Sequence, residues 1–138
     1  MQNNELREVV KRADDAINAE DFDSVMDFYS DDAVLVVKPG LLAKGKPQIR
    51  RAFEAIADYF NHSLHVNQDK LSILESGDTA LVIAKAMINS KNKTDSEFST
   101  ERIATYVFRR DPQGNWKCVI DNSYGAELLD SEDIQKGE

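Results

Sequence analysis

EFSTERIATYVFRRDPQGNWKCVIDNSY, residues 97–124, decides how the rest of the chain is read. Its first half, Glu97 to Arg110, is rich in β-branched and aromatic residues and reads as a long strand. Asp111-Pro112-Gln113-Gly114 supplies the residues of a hairpin turn. Trp116 to Tyr124 then reads as the returning strand. Working back towards the N-terminus, Ser90 to Ser96 is polar and reads as a loop. Thr79 to Asn89 is a mostly apolar strand, and Ser76-Gly77-Asp78 is a turn. Val66 to Glu75 contains the alternation Leu71, Ile73 and reads as another strand.

The first half of the chain follows another period. Leu6, Val9, Val10, Ala13, Ala16 and Ile17 recur at helical spacing. A second helix starts near Asp21 or Asp23, with Phe22, Val25, Met26 and Tyr29 on its inner face. A third opens at Gly45-Lys46-Pro47, where proline suits the first turn. Its apolar stripe is Ile49, Phe53, Ile56, Ala57 and Phe60. Between the second and third lies Ala33-Val34-Leu35-Val36-Val37, a strand ended by Pro39-Gly40.

Helices followed by hairpin-linked strands predict an α+β fold, ordered α-α-β-α-β-β-β-β. Three N-terminal helices would pack on a strongly curved, mostly antiparallel sheet. Long twisted strands under helices leave a conical pocket. The other sheet face keeps apolar groups, some of Tyr106, Phe108 and Val119 among them. A homodimer is the expected way to cover them.

The chain has 138 residues, a length that suits one domain spanning 1–138. Its core is expected over about residues 5–125, with an acidic tail at 126–138. The net charge is -8, which disfavours phosphate-rich partners and so nucleic acid. No stretch approaches the roughly 20 apolar residues of a membrane span. The N-terminus has no basic and apolar leader pattern, and the single cysteine, Cys118, permits no intramolecular disulfide. A cytoplasmic location is the expectation. No metal or cofactor is expected, because His62 and His65 have no supporting cluster.

Several short stretches, taken together, resemble the NTF2-like superfamily with its cystatin-like fold. The likeness is narrower to its SnoaL-like and ketosteroid-isomerase-like small proteins. These stretches are Asn18-Ala19-Glu20-Asp21-Phe22-Asp23, Phe28-Tyr29-Ser30-Asp31-Asp32-Ala33-Val34, Gly45-Lys46-Pro47-Gln48-Ile49-Arg50, Val107-Phe108-Arg109-Arg110, Trp116 and Asp121-Asn122-Ser123. The resemblance implies the fold and leaves the chemistry open, since this fold hosts many activities. Ketosteroid isomerases use a tyrosine, a carboxylate base and a protonated aspartate. The matching positions hold Ala13, Val37 and Thr105, so that chemistry is excluded. SnoaL-like relatives often carry a histidine at the position of Asn122. An acid–arginine pair of epoxide-hydrolase type is not expected, because Glu101 and Arg102 are adjacent and point to opposite faces.

Pairing the last two strands across a four-residue turn sets Arg109 opposite Trp116, Val107 opposite Cys118 and Thr105 opposite Ile120. Ile103 then faces Asn122, and Glu101 faces Tyr124. This register predicts a small-molecule site formed by Tyr29, Glu101, Thr105, Asn122 and Tyr124. A slip of one residue would instead place Arg102, Tyr106, Asp121 and Ser123 inside. The expected function is binding of a small, partly apolar molecule. The alternatives are an acid–base enzyme using Asp32, Tyr29, His65 or Glu101, or a protein-association module. Cys118 is expected to be buried and inert.

Overall fold

The apolar spacing of the first segment is realised in α1 (Gln2–Asn18), which buries Leu6, Val9 and Val10. The computed structural model describes residues 2–91 and 97–130, and the side chains of 5–90 and 99–130. The short α2 (Phe22–Met26) starts at Asp21. The Asp21 carboxylate accepts from the Ser24 N–H and hydroxyl, satisfying donors that a helix start leaves free. Helix α3 (Lys46–Tyr59) carries Pro47 in its first turn and buries Ile49 and Ala57. Gly45, just before it, sits at φ 81° and donates its N–H to the Ala33 carbonyl at 2.8 Å. A side chain at that φ would be strained.

Six strands form one sheet: β1 (Tyr29–Lys38), β2 (Leu41–Lys44), β3 (His65–Ser76), β4 (Thr79–Lys91), β5 (Glu97–Arg110) and β6 (Trp116–Asn122). Their order is β2-β1-β6-β5-β4-β3. Only the β1–β6 pair is parallel. The helices cover one face of this curved, unclosed sheet, α1 lying on β3 and α3 on β1 and β2. The architecture is the α+β arrangement that the sequence implies.

Four details differ from the expectation. Strand β1 begins at Tyr29, so this tyrosine stands on the sheet and not on α2. Pro39-Gly40 does not merely end a strand. With Gly40 at φ 90° it turns the chain back into β2, pairing Leu35 with Ala43. Strand β4 runs on to Lys91, past Ser90, where a loop was expected; residues 92–96 of that stretch lie outside the described residues. Gly125–Asp130 coils into a 3-10 turn where the acidic tail was expected to begin, and residues 131–138 lie outside the described residues.

The decisive correction concerns the last hairpin. The Asp111 N–H donates to the Asn115 carbonyl at 2.8 Å. Asp111 Oδ1 accepts from the N–H groups of Gln113 and Asn115. The turn therefore spans 111–115, and Arg110 pairs with Trp116. Farther along, Phe108 pairs with Cys118 but Val107 pairs with Ile120. Val119 is an extra residue, a β-bulge. Beyond it Tyr106 pairs with Asp121 and Thr105 with Asn122. The longer turn and the bulge each move the register by one residue. Arg102, Tyr106 and Asp121 consequently face the helices, while Glu101, Thr105 and Asn122 face away.

Candidate active site

Between the helices and the sheet lies a cavity of about 230 Å³. Its walls are mostly hydrocarbon: Val10 and Ile17 from α1, Phe53, Ile56 and Phe60 from α3, and Ile88 from β4. The space exists partly because the sheet presents alanine at Ala86, where β4 passes between Gln68 of β3 and Arg102 of β5. An engineered cavity of about 150 Å³ holds benzene, so this one suits a molecule of one to two rings. Ala13 and Val37, which stand where ketosteroid isomerases carry a tyrosine and a base, both line it as plain apolar surface.

Its polar groups come from five elements. Tyr29, at the start of β1, donates its hydroxyl to Asp121 Oδ2 at 2.5 Å. The Tyr106 hydroxyl donates to Gln68 Oε1 at 3.3 Å. Gln68 Nε2 in turn donates to both oxygens of Asp14, at 3.2 and 3.1 Å. The Tyr29 ring is steadied by Phe53, with ring centroids 6.2 Å apart. Two acids thus enter an apolar chamber, each held by a neutral partner.

Burial sets their acidity. Desolvation pushes the Asp121 carboxyl up to about 6, against the opposing effect of the Tyr29 hydrogen bond. Desolvation likewise raises Asp14 to about 6; the Gln68 hydrogen bond lowers it and the Asp121 charge raises it further. Tyr29 and Tyr106 are pushed well above the usual phenol range, first by burial and then by the Asp121 charge. Both remain neutral donors at physiological pH. Cys118 is driven up by burial too and stays a thiol, in line with its expected inert packing. Carboxyls that titrate near neutrality inside a cleft are suited to moving protons.

The structure brings two of the five expected binding residues, Tyr29 and Tyr124, to the cavity. The other three lie on the opposite sheet face. Glu101 pairs there with Lys85 Nζ at 3.2 Å. Asn122 donates to Thr105 Oγ1 and to the Gly125 carbonyl, and its Oδ1 accepts from the Tyr124 and Gly125 N–H groups. That asparagine ties down the turn after β6, an Asx-type role its residue type serves well. Asp32 is exposed and 3.7 Å from Arg109. His65 is exposed, and His62 lies between Glu20 and Asp58 on the surface. Neither lines the cavity. Among the described residues, no group of three His, Cys, Asp or Glu side chains is placed to hold a metal ion.

Sequence reasoning missed Asp14 and Gln68, and had Asp121, Arg102, Tyr106 and Ser123 inside only as the alternative, slipped register. Asp14 did leave a signal. It lies four residues after Val10 and three before Ile17, on the apolar stripe of α1, where an acid is out of place unless it serves a site. Asp121 was reached only through the slipped register, because the bulge that turns it inward is not written in the alternation.

The family model of the SnoaL-like domain matches residues 6–122, and the chain belongs to that family. Solved structures agree on the fold. Aln2 from a Streptomyces species is similar at a TM-score of 0.77 and 14% identity, with 88% of each chain covered. An NTF2-like protein with a cystatin-like fold from Novosphingobium aromaticivorans is similar at 0.73 and 20% identity, over 86% of this chain and 78% of that one. A Catenulispora acidiphila protein solved in complex with S-DNPA is similar at 0.73 and 15% identity, over 87% and 90%. No curated protein matches the sequence significantly. No helix among the described residues is long and apolar enough to cross a membrane.

Proposed function

We propose that the chain binds a small, partly apolar, cyclic molecule in this cavity and catalyses proton transfer on it, with Asp121 as the acid–base group. The observation that carries the reading is the Asp121 carboxyl inside an apolar chamber, poised near pH 6 and held by the Tyr29 hydroxyl at 2.5 Å. Asp121 in its carboxylate form takes a proton from an acidic C–H or O–H of the substrate, and in its acid form returns it. Tyr29 fixes the carboxyl orientation and leaves one oxygen towards the cavity. Asp14, held by Gln68, is the second group able to carry a proton. A relative of the same fold solved with a small molecule, S-DNPA, is consistent with ligand binding. A simple binding role is the weaker reading, because binding alone does not call for two buried acids near neutrality.

The test is deuterium exchange at the acidic carbon of 2-tetralone, a bicyclic ketone of suitable size, followed by NMR in D2O. The expected result is exchange above buffer, an inflection near pH 6, and a loss of about 100-fold or more in Asp121→Asn. Exchange at the buffer rate, or unchanged exchange in Asp121→Asn, would overturn the proposal.

A homodimer is part of the proposal, with its seam on the sheet face that the helices leave open. Support comes from Ile83, Ile103 and Ile120, which are exposed there on neighbouring strands. Tyr106 and Phe108, expected on that face, line the cavity instead. Light scattering coupled to size exclusion tests it. A dimer that becomes monomeric in Ile103→Glu supports the seam, and a wild-type monomer refutes it.

A further inference from the structure

One charged side chain in the cavity has no part in the acid–base network. Arg102 of β5 lines the same chamber as the two acids, yet forms no ion pair or hydrogen bond among the described residues. Its guanidinium lies over the Tyr124 ring, 4.1 Å from the centroid. It is the single cation among the described residues that line the cavity. Arg12, over the Phe28 ring at 5.9 Å, does not line the cavity. Arg110, over Trp116, is also bonded to Glu5 and to the Gly114 carbonyl.

The placement separates Arg102 from the reacting group. Asp121 pairs with Tyr106, four residues along β5 from Arg102. At a rise of about 3.4 Å per residue, the two rows lie roughly 13 Å apart. Both residues line the same chamber, Arg102 towards one end of it and Asp121 towards the other. Stacking on Tyr124 holds the planar guanidinium without using its N–H donors in the plane of the group. Those donors match a carboxylate in a bidentate fashion. A neutral ligand would leave them unanswered, while two acids nearby would repel an anion that lacked such a partner.

We infer that Arg102, stacked on Tyr124, is the subsite for an anionic group of the ligand, and that the substrate class is small cyclic carboxylic acids whose reacting position lies at the Asp121 end. This rests on the reading of the cavity as a ligand site. Arg102 is thus a specificity residue, remote from the proton-transfer step. Tyr124 is the platform that sets its height.

The experiment compares 2-naphthoate with 2-naphthamide, equal in shape and different in charge, by titration calorimetry at pH 7.5. Wild type is expected to bind the naphthoate at least about 10-fold more tightly than the amide. Arg102→Gln is expected to erase that preference through loss of naphthoate affinity, with the amide unchanged. Arg102→Lys, which keeps the charge and loses the bidentate fork, should recover part of the preference, and Tyr124→Leu should weaken it. Equal affinity of the two probes in wild type, or a preference that survives in Arg102→Gln, overturns the inference while leaving the cavity a ligand site. Failure of both probes to bind overturns the cavity reading and the inference with it. A fold defect in Arg102→Gln would show as equal loss of both probes, and that pattern too counts against a charge-reading role.

Discussion

Asp121 stands in the protein at a thermodynamic cost, and removing its charge should make the protein more stable. Its carboxyl is raised from 3.8 to about 6 by folding. A shift of that size corresponds to about 3 kcal/mol at 1.36 kcal/mol per unit. The sign follows from proton counting. A folded state with the higher pKa binds more protons than the unfolded chain between about pH 3.8 and 6. Stability from this group is thus complete below 3.8 and lost as pH rises to and beyond 6. Asp121→Asn keeps the shape and an acceptor for the Tyr29 hydroxyl, and cannot ionise. The variant should gain about 3 kcal/mol over wild type at pH 8, roughly half of that at pH 5 and little at pH 4. Asp14 adds to that gain, because its carboxyl is raised in part by the Asp121 charge that the variant removes. For a domain of this size the gain at pH 8 amounts to about 10 °C in Tm. Urea denaturation followed by the sole tryptophan, buried Trp116, gives the difference directly at each pH. A gap that does not change between pH 4 and pH 8, or an Asp121→Asn protein that is less stable at pH 8, would refute the account of a buried, costly carboxyl.

Three further expectations follow from named contacts. Tyr29→Phe removes the hydrogen bond that holds the Asp121 pKa down, so the carboxyl should titrate above its present value of about 6 when read by carbon-13 NMR; no movement, or a downward one, counts against the pairing. Asn18→Ala deletes two bonds that join the end of α1 to Val66, its Nδ2 donating to the carbonyl at 2.9 Å and its Oδ1 accepting from the N–H at 2.7 Å. The expected loss is about 1–3 kcal/mol by denaturant melting, since two backbone groups lose their partners. Gly125→Ala would put a methyl group 1.9 Å from the Ile103 carbonyl oxygen at a φ of 56°, and should cost more than about 2 kcal/mol by the same measurement.

Much of the fold was legible because its signals are local. The helical stripe from Leu6 to Ile17, the Asp21 cap and the Pro47 start each depend on residues within a turn of one another. Asn18 carried the family likeness, and its paired bonds to Val66 give a physical reason for an asparagine there. The site was less legible because it depends on parity over a whole hairpin. Asp111 accepts bonds from Gln113 and Asn115 and lengthens the turn by one residue. No composition rule separates that from a four-residue turn over the same letters. Tyr29 and Tyr124 survived the error because neither depends on the β5–β6 register, one lying on β1 and the other in the turn beyond β6. Glu101, Thr105 and Asn122 depend on it entirely and lie on the far face.

The bulge at Val119 gives β6 two reading frames. Upstream of it, Trp116 and Cys118 are packed into the core. Downstream, Asp121 is turned into the cavity. A regular strand would lock these halves in step, so that one inserted residue would turn the acid out to solvent. Here the insertion is absorbed where it occurs. The residues on either side of the bulge thus keep their inward aim independently, Trp116 and Cys118 towards the core and Asp121 towards the cavity.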